Sequence, residues 1–264
     1  MTVTLFPILT AGVLLLAATS PCDGQRDTAR IEVQVVGGRT VFVQLPPGYD
    51  RSDRRYAVLY TLDGSSTIVT APPLVDSLVT AGSVPEVILV AIPHGDRRHD
   101  LTPTAVARYP TSGGGEQLLR FIADELIPHV DDRYRTQPIR VLHGHSLGGL
   151  FVVYALAAEP GLFQGYIASS PSLRWDDWIV RGMTARAFAQ PAWVAFLFLG
   201  VGTDDLAGYA DNAREFAAWL EAHAPDGLRW SLYVYEGGTH ESVGILAFLD
   251  GLAEVFAALE ETRR

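Results

Sequence analysis

The 264-residue chain contains no lysine and one cysteine, Cys22. A lone cysteine excludes an intrachain disulfide and any multi-cysteine metal site. Without lysine, all 20 cationic side chains other than histidine are arginine, the planar fork suited to carboxylate or phosphate. Positive charge is also scarce, with a formal net charge of -10. That balance argues against nucleic acid or an anionic membrane as the main partner. The leading apolar run, Leu5 to Ala18, is too short for a comfortable membrane span. With small residues after it, the run reads as the core of a secretory signal, although no Arg precedes it. Residues 1–24 are therefore expected to be a signal peptide or apolar N-terminal segment, and residues 25–264 a single catalytic domain. Export is expected. Lipid anchoring through Cys22 is the alternative, although Pro21 fits a lipobox badly.

Apolar residues are plentiful, at 48%, enough for a sizeable core. Runs at 31–36 and 40–45 around Gly37-Gly38 predict a hairpin, and further strands are expected at 56–62, 87–92, 165–169, 194–201 and 232–235. Helical spacing is expected over 73–81, 115–130, 176–189, 211–223 and 245–259. Strands alternating with helices imply an α/β fold with a mostly parallel central sheet flanked by helices. No long insertion follows the strand at 165–169, so no large cap domain is expected; residues 172–190 are the candidate for a small flap.

The most informative segment is Gly144-His145-Ser146-Leu147-Gly148. An apolar strand enters it and an apolar helix leaves it, the context that a G-x-S-x-G nucleophile elbow requires. Gly144 and Gly148 are expected to admit backbone where a Cβ would clash. Ser146 is thus the candidate nucleophile, and a serine hydroxyl needs a base. His240, in the Gly-rich stretch after the last strand, is the candidate base; His223, near a helix end, suits the terminal carbonyls. The orienting acid is expected in Gly202-Thr203-Asp204-Asp205, with Asp205 preferred and Asp204 the alternative. The N–H groups of Leu147 and of Ser65, after Asp63-Gly64, are the candidate oxyanion donors, though Asp63-Gly64 also reads as an ordinary turn. Arg97 and Arg98 could hold an acidic substrate, shape the pocket, or lie on a solvated loop. Trp175 could line the pocket or pack in the core. His143 and His145 read as packing or pocket residues. As a metal pair they lack further ligands at sensible spacing, so neither a metal nor an organic cofactor is expected.

Together these segments resemble the esterase D-like branch of the α/β-hydrolases. The likeness runs from Leu45-Pro46-Pro47-Gly48-Tyr49 to His240, and within the branch it is closest to siderophore esterases of the enterobactin-hydrolysing type. It is carried by Arg98-His99-Asp100-Leu101-Thr102-Pro103, Gly114-Gly115-Glu116, the elbow with Gly149, and Ser170-Pro171-Ser172-Leu173. The resemblance implies an α/β-hydrolase fold, Ser146 as nucleophile, His240 as base, and hydrolysis of small-molecule esters of bulky acids or alcohols. It also implies an arginine near the early loops for anionic ligands. The Asp204-Asp205 loop is more similar to that of feruloyl esterases, and the branch includes mycolyltransferases. Acyl transfer to an alcohol, and a non-catalytic binding protein on the same scaffold, are the alternatives to a serine ester hydrolase.

Overall fold

A computed structural model describes residues 29–189 and 194–262. The expected signal segment, Cys22 and Gln190 at the end of the expected flap lie outside the described residues.

The chain opens with an antiparallel hairpin, β1 (Arg30–Val36) and β2 (Arg39–Leu45), turned at Gly37 and Gly38. It continues through β3 (Tyr56–Thr61), α1 (Gly64–Thr80), β4 (Val87–Ala91) and the short α2 (Arg97–Leu101). Next come α3 (Gly115–Arg120), a widened π turn (Phe121–Leu126) and α4 (Ile127–Arg133). After β5 (Thr136–His145), α5 (Leu147–Ala158), β6 (Gly165–Ser169) and α6 (Ile179–Ala187), the chain closes with β7 (Ala195–Asp204), α7 (Tyr209–His223), β8 (Leu228–Thr239) and α8 (His240–Glu261). The eight strands form one sheet in the order β1-β2-β4-β3-β5-β6-β7-β8, parallel from β4 to β8.

Period-two alternation builds two cores. Val58, Tyr60, Leu142, Tyr166, Leu197 and Leu199 face α3 to α7. Their neighbours Leu59, Val141, Ile167, Phe196 and Phe198 face α1 and α8. The inner parallel strands β3, β4, β6 and β7 are buried on both faces, which is why they read as unbroken apolar runs rather than alternating ones. Helix α8 has the length and hydropathy of a membrane span, yet it buries Val243, Ala247, Leu252 and Val255 against this second core.

Three expectations shift. The helix expected from residue 73 starts at Gly64 and carries Pro72 and Pro73 inside it. The first turns were hidden by prolines that normally end helices; here Val69, at a carbonyl that loses its donor, is exposed, so solvent can satisfy it. The single helix expected over 115–130 contains the π turn, because Pro128 offers no N–H to the preceding turn. The arginine loop after β4 folds as α2, capped by the Asp96 carboxylate, which accepts from the N–H groups of Arg98 (3.0 Å) and His99 (3.1 Å).

Strand order positions the site. The α1 crossover carries β3 to its neighbour β4 on one side, while the α5 crossover carries β5 to β6 on the other. The connections therefore diverge between β3 and β5, leaving a crevice outside their carboxyl ends.

Helix α8 lies close to the sheet through Gly251, where a Cβ would fall 2.7 Å from Ile167 Cγ2 and 2.8 Å from Phe198 Cδ1. Gly251→Ala is expected to cost about 1–3 kcal/mol by overpacking. The check is a lowered urea midpoint with an unchanged slope.

Candidate active site

The candidate residues collect at the crevice. Ser146 follows β5 directly, in the strained conformation φ 60°, ψ -113°. Such a non-glycine conformation costs on the order of 1–3 kcal/mol and needs external support. The backbone supplies it: Ser146 N–H donates to Ser169 O (2.9 Å), and Ser146 O accepts from Leu150 N–H (3.0 Å) and Ser172 N–H (3.2 Å). Gly144 is required, because a Cβ there would sit 2.4 Å from Gly148 O. The expectation for Gly148 is corrected: a Cβ on it would meet only ordinary contacts from 3.6 Å. The second tight position is Gly149, whose Cβ would lie 2.9 Å from Ser169 O and Pro171 Cα.

His240 is the first residue of α8 rather than part of a loop. Thr239 caps that helix through a reciprocal pair with Ser242, Ser242 N–H to Thr239 Oγ1 at 3.3 Å and Thr239 N–H to Ser242 Oγ at 2.9 Å. The His240 Nδ1–Asp205 Oδ1 distance is 2.6 Å. An ionised carboxylate only accepts, so Nδ1 carries the proton and Nε2 keeps its lone pair. Asp205 also accepts from Ser170 Oγ (2.5 Å) and from the N–H groups of Leu206 (2.7 Å) and Gly202 (3.5 Å). Burial raises its pKa, but the Ser170, His240 and Leu206 hydrogen bonds outweigh that and hold it below the ordinary 3.8. Asp204, the alternative, ends β7 exposed to solvent.

His145 packs its ring 4.5 Å from that of His240, centroid to centroid, and donates from Nε2 to His240 O at 2.7 Å. Burial first, and then the positive charge that His240 can carry, lowers its pKa, so His145 is a neutral prop for the His240 backbone. His143 is fully buried, edge-on to Phe248, and its pKa is pushed down to about 3 by burial. No hydrogen bond joins Ser146 Oγ to the His240 ring among the described residues. The two share one neighbourhood through Tyr209, which lines the cleft beside Ser146, packs edge-on to the His240 ring at 5.2 Å, and bonds Ser172 Oγ at 2.8 Å.

Leu147 and Ser65 open α5 and α1, and neither N–H donates to a protein acceptor among the described residues. The loop before Ser65 abuts the end of β4, where a Cβ on Gly64 would lie 2.5 Å from the Ile92 and Pro93 backbone. Ser146 floors a cleft of about 420 Å³. One wall stacks Arg98 on Tyr109 (4.4 Å) and Tyr109 on Trp175 (5.5 Å, 19° between planes). Trp175 thus lines the cleft, tethered by Nε1 to Thr104 O at 3.3 Å. Arg98 and Arg174 line the cleft exposed, without an ion pair to a carboxylate among the described residues. Arg97 also lines it, but its guanidinium is held by Asp63 (2.5 and 2.9 Å) and by His145 O (3.0 Å).

Sequence reasoning missed Tyr209, Tyr109 and Arg174, whose types carry no motif and gain meaning only from the ring or cleft they face; Ser170 stood out within Ser170-Pro171-Ser172-Leu173, but its bond to Asp205 did not. Asp63, read as a turn, adopts the left-handed φ 56° that more often marks glycine or asparagine.

The arrangement resembles known proteins. A family model described as "Putative esterase" matches residues 35–256. The ferri-bacillibactin esterase BesA of Bacillus subtilis is 31% identical over 215 residues, covering 71% of this chain and 74% of that protein. Among solved structures, an IroE-like serine hydrolase from Shewanella oneidensis superposes with a TM-score of 0.78 at 28% identity, covering 87% of this chain and 80% of its own. The siderophore hydrolase EstB of Aspergillus nidulans shares the fold, with a TM-score of 0.72 at 22% identity over 86% of this chain and 94% of its own.

The lowered pKa of Asp205 gives a pH prediction. A carboxylate depressed in the folded state stabilises above its ordinary value and loses that contribution as pH falls through its folded value. The stability gap between the unmodified protein and Asp205→Asn should be largest near neutral pH and shrink below the ordinary 3.8. Urea unfolding across that range is the check; a constant gap would show that the charge contributes nothing.

Proposed function

This chain belongs to the esterase family and is a carboxylic-ester hydrolase, and we propose that it works through an acyl-enzyme on Ser146. The observation that carries this is the His240 Nδ1–Asp205 Oδ1 bond of 2.6 Å, which leaves Nε2 as a lone-pair base in the neighbourhood of the elbow. Ser146 Oγ attacks the ester carbonyl carbon while its proton passes to His240 Nε2. Asp205 stabilises the imidazolium so formed. The oxyanion is received by the N–H groups of Leu147 and Ser65, unpaired and at helix starts where negative charge is favoured. Collapse of the tetrahedral adduct breaks the ester C–O bond, and His240 returns the proton to the departing alkoxide. Water, deprotonated by the same ring, then releases the acid and restores Ser146. The route calls on no metal or organic cofactor.

The substrate class follows from the cleft wall. Arg98 and Arg174 line the cleft without an ion pair to a carboxylate among the described residues, and the same cleft carries Tyr109, under Arg98, stacked on Trp175. An aryl ester carrying negative charge satisfies both features, as a siderophore-like ester would. The relatives named for siderophores support the same reading. The apolar run from Leu5 to Ala18 supports export as part of it.

Ser146→Ala should abolish hydrolysis of p-nitrophenyl acetate and labelling by a fluorophosphonate. Asp205→Asn should lower kcat about 10⁴-fold through the wrong tautomer. Retained turnover in Ser146→Ala would remove the mechanism. For the substrate class, Arg98→Ala and Arg174→Ala should each lower kcat/KM on anionic aryl esters by about 10–100-fold, the worth of one charged hydrogen bond. Neutral esters should be little affected. Equal losses on both kinds of ester would refute charge selection.

A further inference from the structure

Resting on the assignment of the Ser65 and Leu147 N–H groups as oxyanion donors, we propose that Arg97 is a positioning residue that sets the spacing of these donors, and not a receptor for substrate anions. Its guanidinium makes a fork to Asp63, Nε to Oδ1 at 2.5 Å and an Nη to Oδ2 at 2.9 Å, and the same Nη reaches His145 O at 3.0 Å. Asp63 stands two residues before Ser65, and His145 two residues before Leu147. One planar, rigid group therefore ties the segment behind the first donor to the segment behind the second. An oxyanion hole depends on such preset spacing, since its donors stabilise the transition state only where the oxyanion forms.

The surroundings of Asp63 support this role. Its backbone is left-handed (φ 56°, ψ 40°), a conformation that a non-glycine residue keeps only when its neighbours impose it. Its N–H donates to His94 Nε2 at 3.1 Å, and the next N–H, of Gly64, donates to Ile92 O at 2.9 Å. Because His94 Nε2 accepts, the ring proton lies on Nδ1, which faces Asp100 Oδ2 at 3.4 Å. Asp100 is in turn forked by Arg39 of β2 at 2.8 and 3.2 Å. Helix α2 makes this possible by placing Arg97 and Asp100 one turn apart, with Arg97 reaching Asp63 and Asp100 reaching the residue that holds Asp63. Arg98, the adjacent residue, points instead to Tyr109. The two neighbouring arginines thus divide the labour: one builds the hole and the other faces the ligand.

The test is steady-state kinetics of Arg97→Met, Arg97→Lys, Asp63→Asn and the Asp63→Asn/Arg97→Met double variant on p-nitrophenyl acetate and on an anionic aryl ester, with Ser146→Ala alongside. Arg97→Met should lower kcat about 100-fold, the scale of losing one oxyanion donor, equally on both esters and with KM little changed. Affinity for a trifluoromethyl ketone, whose serine adduct carries the oxyanion, should fall in step with kcat. Arg97→Lys should recover little, because an ammonium cannot fork Asp63 while reaching His145 O. The double variant should be no slower than either single one, since both break the same tie. If Arg97→Met does not fold, Asp63→Asn alone decides by the same loss confined to kcat. An unchanged kcat, or a loss confined to KM on the anionic ester, would overturn the proposal while leaving the Ser146 mechanism standing. Turnover surviving in Ser146→Ala would overturn both.

Discussion

A carboxylate with a side chain only 1% exposed stays ionised here because almost every lone pair has a donor. Asp205 meets that condition through Ser170, Leu206, Gly202 and the His240 ring. Much of the site follows from this one interaction. The ring is held in a single orientation with its proton assigned to Nδ1, and the opposite nitrogen keeps its lone pair. His145 completes the support from below by bonding the His240 carbonyl. The His240 ring is therefore fixed through side chain and backbone at once, at the first residue of a helix whose apolar face is locked on the sheet. As a carboxylic-ester hydrolase the protein needs this rigidity, because proton transfer tolerates little misplacement.

The second organising feature is strain at the strand ends. The neighbouring strands β3, β5 and β6 are followed by Asp63, Ser146 and Ser170, all non-glycine residues at positive φ (56°, 60° and 41°). Each turns the chain back over the same edge of the sheet, so that the loops converge on the cleft. Such conformations persist only when surrounding contacts over-determine them. Here Asp63 is gripped by Arg97 and His94, Ser146 by Ser169 and Ser172, and Ser170 by Gly200 O and Asp205. The hydrophobic core supplies the stability that these turns draw on. Unbroken apolar strands sealed between two helical layers let the polar edge be irregular.

Much of this was legible in the chain. The elbow was readable because the glycine spacing and the flanking apolar periods are both local. The buried strands were readable for the same reason, and the serine, acid, histidine order from the chain order that the elbow motif itself implies. Reading failed where a residue's partner lies far away in sequence. Arg97 and Arg98 were grouped as residues that hold an anion or shape the pocket, since adjacent arginines look alike until α2 turns them apart. Asp205 was preferred over Asp204 on the spacing from Gly202, and the fold separates them: β7 ends at Asp204, which is exposed, while Asp205 bonds the His240 ring. The start of α1 was masked by Pro72 and Pro73, whose local preference the tertiary packing of Ala71 and Val75 overrides.

The amino-acid order alone determined the α/β class, the parallel core and the identity of the elbow serine, because periodicity, turn chemistry and close backbone packing act between near neighbours. Only the folded structure decided which acid holds the imidazole, which arginine is bonded to Asp63, and which aromatic rings wall the cleft. Those choices rest on contacts between residues well separated in the chain, such as Asp205 with His240, Arg97 with Asp63 and Tyr109 with Trp175. Local propensity carries no information at that range; strand order and the divergence between β3 and β5 do.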